Sequence, residues 1–182
     1  MQTKKCQVLV IGAGPGGYVS AIRAGQLGLK TIIVEAERAG GTCLIRGCIP
    51  SKALIHAAHT FHKLAQHSSD EGHMGITIPG PAELNMSNLI GWKEGIVDKL
   101  NKGVEHLLKT AGAELITGWA EFQDAKTVKV GEGKDALIIQ ADNVILANGS
   151  VPIELPFMKY GNNVISSREA LQLQDRPEHV VV

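Results

Sequence analysis

Cys43 and Cys48 are separated by four residues and stand at the head of a run, Ser51 to His67, that reads as helix. Two sulfurs at that spacing can meet where a helix starts, and the helix dipole there lowers a thiolate's pKa and keeps the pair exchangeable. One sulfur can attack, or be attacked by, an external disulfide while its partner resolves the mixed species. The second candidate is Gly12-Ala13-Gly14-Pro15-Gly16-Gly17, which fits G-x-G-x-x-G. Three glycines at this spacing are weak evidence alone in a chain with 21 glycines, but the context strengthens them. The loop follows an apolar run, opens a helical pattern and precedes Glu35 at the end of the next apolar run. Gly12 permits a tight turn, Gly14 lets backbone approach a pyrophosphate, and Gly17 lets helix and strand pack closely. The helix start offers amides and a positive dipole end to phosphates. Glu35 would accept from ribose hydroxyls, and its charge disfavours a 2′-phosphate there. NAD and FAD fit this motif equally well.

The elements that must hold these residues follow from periodicity. Cys6 to Ile11 and Thr31 to Val34 read as buried parallel strands, with a helix over Ala21 to Leu29 between them. Such a unit crosses over right-handed. Pro50 suits the first turn of the helix that follows the cysteines. A loop is expected over 72–81. Ser87 should cap a helix whose apolar face is Leu89, Trp92, Ile96, Leu100, Val104 and Leu107, with Lys93, Asp98, Lys102 and Glu105 in solvent and Gly112 as its left-handed stop. Leu115 to Ile116, Thr127 to Val130 and Leu137 to Gln140, turning at Gly131-Glu132-Gly133, read as an antiparallel meander over about 114–141. Asn143 to Ala147 reads as a strand returning to the main sheet, and Val180 to Val182 as another buried strand. The expected fold class is therefore α/β, a Rossmann-like parallel sheet flanked by helices with a small antiparallel insertion.

Composition removes several functions. Eighteen Lys and Arg balance eighteen Asp and Glu, so no basic field exists to hold nucleic acid or anionic lipid. Three cysteines do not make a secreted disulfide scaffold, and a reducing compartment is expected. Cys6, at the start of a strand, is expected to be a small apolar filler. The apolar run after the basic start breaks at Gly12, too early for a signal peptide, and no stretch is long enough to cross a membrane. The expectation is a cytoplasmic protein with no membrane and no nucleic-acid partner. His56, His59 and His62 beside the cysteines imitate a zinc site, yet three-residue steps drift around a helix; no metal is expected.

The segment Cys43-Leu44-Ile45-Arg46-Gly47-Cys48-Ile49-Pro50-Ser51-Lys52 resembles the redox-active stretch of the flavoprotein disulfide reductases, the class I pyridine nucleotide-disulfide oxidoreductases. Ile49-Pro50-Ser51-Lys52 is more similar to the dihydrolipoamide dehydrogenase branch than to glutathione reductase, with mercuric reductase also similar. The resemblance extends along the chain through Gly118-Trp119-Ala120 and Ala147-Asn148-Gly149-Ser150 to Leu155-Pro156. It implies that the glycine loop holds FAD, with Gly12, Gly14, Pro15, Gly16 and Gly17 at the pyrophosphate and Glu35 and Ala36 at the adenosine ribose. It implies Gly41 and Thr42 on the flavin side, Cys43 as the thiol that meets substrate, and Cys48 as the thiolate against the ring. Lys52 would sit near the flavin's reactive edge, Gly118 and Ala120 at the adenine, and Ala147, Gly149 and Ser150 in a segment closing over the cofactor.

The implied reaction is oxidation of dihydrolipoamide, free or on a lipoyl domain, with reduction of NAD, as the E3 component of α-keto acid dehydrogenase complexes and as a homodimer. Residues 1–150 would be most of the FAD domain, and 151–182 a connector and the first strand of an NAD domain. The NAD fingerprint and the His-Glu pair of the family are absent from the sequence, so this chain alone is expected to be inactive. Two departures stand out: Ile45 and Arg46 between the cysteines, which puts a cation near both sulfurs, and Asn148 where threonine is usual. The alternatives from other classes are a chain that neither keeps flavin nor turns over, and a zinc-binding module.

Overall fold

The computed structural model describes residues 2–68, 74–133, 136–161 and 163–182. Six strands, β1 (Gln2–Ile11), β2 (Thr31–Glu35), β3 (Ala113–Thr117), β4 (Ala120–Phe122), β5 (Thr127–Val130) and β6 (Leu137–Leu146), form one mixed sheet in the order β3-β2-β1-β6-β5-β4. The helices are α1 (Pro15–Gln26), α2 (Gly41–Arg46), α3 (Cys48–His67), α4 (Met86–Thr110) and α5 (Ser167–Ala170). The α/β class expected from the sequence is the one observed.

The chain divides into two compact units, Met1–Ile45 with Asp98–Ile153, and Arg46–Val97 with Glu154–Val182. The first holds the whole sheet. β1 is its centre, parallel to β2 from Val8↔Thr31 to Ile11↔Val34 and parallel to β6 from Gln2↔Leu137 to Ile11↔Leu146. Central parallel strands are covered on both faces, which is why Leu9, Val10, Ile32, Ile33 and Val34 are buried as a continuous apolar run. The core gathers Cys6, Leu9, Ile32, Val34, Val128, Val130, Ile139 and Ala141, so Cys6 is the apolar filler its position suggested.

Three strand assignments change. Leu115 and Ile116 belong to β3, which runs parallel to β2 (Ile33↔Leu115, Val34↔Ile116) and so is outside the antiparallel meander. The meander consists of β4, β5 and the first part of β6. The expected strands 137–140 and 143–147 are one ten-residue strand, β6. Its first part pairs with β5, and every residue but Asp142 pairs with β1. Val180 to Val182 form no strand and are exposed; a buried-type strand needs neighbours, and these have none among the described residues.

Helix limits also shift. α1 begins at Pro15 and ends at Gln26, ahead of the expected 21–29, because the glycine loop turns directly into it. Asn85, and not Ser87, caps α4: its Oδ1 accepts the Asn88 amide at 2.9 Å. Gly112 follows that helix with φ 79°, as its type required. The buried stripe of α4 is Ile90, Lys93, Val97, Asn101, Val104 and Leu108, which keeps Val104 and otherwise lies one position along from the expected face. Trp92, Leu100 and Leu107 are exposed instead. Lys93, expected in solvent, has no exposed surface; its Nζ donates to Glu94 Oε1 at 2.6 Å and to the Leu171 carbonyl at 2.9 Å. Of the loop expected at 72–81, residues 72 and 73 lie outside the described residues, and 74–81 contain no helix or named strand.

Candidate functional site

The glycine loop lies at the carboxyl end of β1, where the crossover to α1 begins. Gly12 donates its amide to the Val34 carbonyl at 2.8 Å, which ties the loop to β2. A Cβ on Gly12 would lie 2.3 Å from the Ala147 carbonyl oxygen, and Gly12 has φ 95°, so only glycine fits. Ala147 in turn donates to the Ile11 carbonyl at 2.8 Å, bringing the residues after β6 against the loop. Gly17, buried in the first turn of α1, would meet the Gly12 carbonyl with any side chain. The roles assigned to the first and last glycines, turn and close packing, are those the backbone shows.

Gly14 is the N-cap of α1, in extended conformation, and no side chain caps the helix. The first-turn amides are therefore left for an external acceptor, and Pro15 at the first helical position has no amide to leave unsatisfied. A Cβ on Gly14 would meet only Gly41 Cα at 3.7 Å, and one on Gly16 only Ala147 Cβ at 4.0 Å. Space that glycine leaves open beside unpaired amides suits a pyrophosphate.

Glu35 closes the adjoining edge. Its Oε2 accepts the Ala13 amide at 2.8 Å, and its Oε1 accepts the Glu37 amide at 3.0 Å around the exposed Ala36. Each oxygen retains a second lone pair for a hydroxyl donor. Gly118 donates to the Glu35 carbonyl at 2.8 Å, which places the β3–β4 turn beside it. Ala120 opens β4 opposite Val130, and Trp119 between them is 76% exposed.

The redox segment is bound to the same loop. Gly40 donates to the Ala13 carbonyl at 2.7 Å, and a Cβ on Gly41, whose φ is 63°, would lie 2.4 Å from Gly14 Cα. The backbone that starts α2 thus rests directly on the glycine loop. Thr42 is exposed and Cys43 half-buried on that helix; Cys48 is the first residue of α3. Cys43 and Cys48 are joined in a disulfide, and Cys6 is the free thiol. Burial pushes the Cys6 thiol above its ordinary pKa, so it is poorly suited to thiolate chemistry.

Of the residues singled out in the sequence, Gly12, Gly14, Gly16, Gly17, Glu35, Gly41, Gly118 and Ala147 are brought together within the first compact unit. Gly149 and Ser150 are exposed beyond β6, as is Asn148. Lys52 is exposed on α3, in the second unit, as are His56, His59 and His62. No group of three or more potential metal ligands exists among the described residues. Nor, among them, is any helix long and apolar enough to cross a membrane. Sequence reasoning missed Asn101, whose buried amide reaches the Ala39 carbonyl beside the redox segment. A polar residue four positions from Val97 and three from Val104 was the available signal.

The family model described as pyridine nucleotide-disulphide oxidoreductase matches residues 6–182. A dihydrolipoyl dehydrogenase of Pseudomonas aeruginosa is 46% identical over 182 residues, covering all of this chain and 39% of that protein. One of Geobacillus stearothermophilus is 47% identical over 176 residues, covering 97% and 36%. The chain therefore spans well under half the length of these relatives. Among solved structures, LpdA from Mycobacterium tuberculosis superposes with a TM-score of 0.79 at 20% identity, covering 93% of this chain and 38% of that one. The HOCl-induced flavoprotein disulfide reductase RclA from Escherichia coli gives 0.72 at 24%, covering 93% and 34%. At such identities these two speak for the fold, while the family model and the curated relatives speak for descent: the chain belongs to the pyridine nucleotide-disulphide oxidoreductases.

Proposed function

We propose that the chain is the FAD-binding and disulfide-bearing portion of a dihydrolipoyl dehydrogenase, and that Cys43 and Cys48 take an electron pair from dihydrolipoamide. The observation that carries this reading is the seating of Gly41 on Gly14, which starts the disulfide helix on the dinucleotide loop. Gly12, Gly14, Pro15, Gly16 and Gly17 would hold the pyrophosphate, and Glu35 with Ala36 would receive the adenosine ribose. Gly118 and Ala120 would meet the adenine, Gly41 and Thr42 the flavin side, and Ala147, Gly149 and Ser150 would cover the cofactor. Lys52 would be the residue supplying a cation to favour an electron-rich ring. FAD, when bound, would supply a two-electron acceptor beside the cysteine pair.

The chain's own residues perform the sulfur exchange. One thiolate of the dithiol attacks Cys43 Sγ, the Cys43–Cys48 bond breaks, and Cys48 leaves as a thiolate. The second substrate thiolate attacks the substrate sulfur of the mixed disulfide and Cys43 leaves in turn. The substrate ends as a cyclic disulfide, the cysteine pair is reduced by two electrons, and two protons are given up to solvent or bases. Residues 1–150 are the FAD domain portion in this reading and 151–182 the connector toward an NAD domain. Homodimer formation, service to α-keto acid dehydrogenase complexes and a cytoplasmic location belong to the whole protein and stand as part of the proposal.

The test is a titration of the purified chain with FAD, followed by anaerobic addition of dihydrolipoamide. Uptake of FAD and a change in the flavin bands on dithiol addition are expected. A colourless chain that takes up no FAD overturns the reading.

A further inference from the structure

Between Glu35 and Gly41 the chain must leave β2 and deliver α2 to the glycine loop, and α4 reaches into that link. Asn101 is 6% exposed, and its Nδ2 donates to the Ala39 carbonyl at 2.7 Å. Ala39 is itself buried, and the next residue, Gly40, donates to the Ala13 carbonyl at 2.7 Å with φ 120°. One residue further, Gly41 rests on Gly14. Three consecutive residues thus connect a helix side chain, the dinucleotide loop and the start of the disulfide helix. On the far side, Arg38 Nη2 donates to Asp98 Oδ1 at 2.6 Å and to Asn101 Oδ1 at 3.4 Å. The Arg38–Asp98 pair is more than a third exposed on both sides, so water screens it and it contributes little. Asn101 is different: without its donor, the buried Ala39 carbonyl loses this hydrogen bond and the link loses its anchor.

We propose that Asn101 is a positioning residue, which through the Ala39 carbonyl fixes the seat of Gly41 on Gly14 and so sets the Cys43 helix relative to the dinucleotide cradle. The inference rests on the proposed function for its FAD readout and on the disulfide alone for its second. Removing the donor lets the 38–41 link relax, so FAD affinity and the equilibrium of the Cys43–Cys48 disulfide change together, although Asn101 touches neither. Asp98→Asn, which weakens only the exposed ion pair, leaves both unchanged.

The experiment compares the chain with Asn101→Leu, Asn101→Asp, Asn101→Gln and Asp98→Asn. It measures FAD Kd by fluorescence, the disulfide equilibrium in glutathione buffers by thiol counting, and the urea midpoint. Loss of the donor in Leu or Asp should raise the FAD Kd about tenfold and shift the disulfide equilibrium about fivefold. Gln, which keeps the amide, should recover most of both. Should Leu fail to fold, Asp retains the side-chain size and decides. A lower urea midpoint with both Kd and disulfide equilibrium unchanged overturns the proposal. If the parent chain binds no FAD, the functional reading fails, and the disulfide equilibrium then decides the role of Asn101: a shift supports it, none overturns it.

Discussion

The carbonyl oxygen of Gly12 lies 1.8 Å from the point where any Cβ at Gly17 would stand. Gly17→Ala must therefore move the loop or the first turn of α1, at a cost of about 3 kcal/mol or more. Gly14→Ala meets only Gly41 Cα at 3.7 Å with an ordinary φ of −72°, so its stability should change by no more than about 1 kcal/mol. Yet its methyl would occupy the pyrophosphate's approach, and FAD affinity should fall at least about tenfold. Urea denaturation and FAD titration of both variants check the pair: the first loses stability, the second loses the ligand. Equal stability losses would remove the distinction between packing and approach glycines.

Glu35→Gln tests the carboxylate that joins the loop to β2. Both oxygens accept backbone amides, from Ala13 and Glu37. A glutamine keeps one acceptor and turns an NH2 toward the other amide, so one donor meets a donor. The expected loss is about 1–3 kcal/mol, measured by urea denaturation in the absence of any nucleotide. An unchanged midpoint would show that these two bonds contribute nothing to the loop.

How far the site could be read from residues alone depends on what fixes each part. The places of Gly12 and Gly17 were legible because the backbone excludes other residues there, a local requirement, whereas the bonds of Glu35 to the Ala13 and Glu37 amides were not read from the sequence. The cysteine pair was legible for the same reason, lying within six residues of chain. The face of α4 was not. Apolar spacing favoured Trp92, Leu100 and Leu107, whereas the buried stripe includes Lys93 and Asn101, each satisfied by a carbonyl far along the chain, at Leu171 and Ala39. Periodicity counts apolar residues and has no access to such partners. The fusion of two expected strands into β6 escaped for a related reason: Ala141 and Asp142 do not break a strand that pairs with β1 on both sides of them.

Cys6 offers a prediction about pH and labelling. It is buried and its thiol is held above its ordinary pKa chiefly by desolvation, while Cys43 and Cys48 are oxidised. Iodoacetamide should label none of the three in the native oxidised chain, Cys6 alone in urea, and all three after reduction in urea. Labelling of native Cys6 should be about 100-fold or more slower than in urea, since it needs both opening and ionisation. Because the folded pKa is raised, Cys6 favours the fold fully below the unfolded thiol pKa, and this contribution disappears as pH rises through the folded value. Rapid labelling of native Cys6, by mass spectrometry, would contradict the burial.

Lys93 ties α4 to the Leu171 carbonyl, and its partners set the size of the effect. Its ammonium, with no exposed surface, donates to Glu94 and to the Leu171 carbonyl, and Gln172 Nε2 reaches the same Glu94 oxygen at 2.6 Å. All four residues belong to the second compact unit. Lys93→Ala removes the buried stem as well as both bonds and should cost about 2–4 kcal/mol. Lys93→Met keeps the stem and loses only the donors, which should cost about 1–2 kcal/mol. The difference between the two variants thus separates packing from polar attachment, since Glu94 is partly exposed and can recover water once its partner is gone. The Met variant should also release residues 171–172, so trypsin cleavage at the neighbouring Arg168 and Arg176 should accelerate severalfold at temperatures where the sheet stays folded. If Lys93→Met matched the parent in both urea midpoint and cleavage rate, the buried ammonium would have no part in holding that segment to α4.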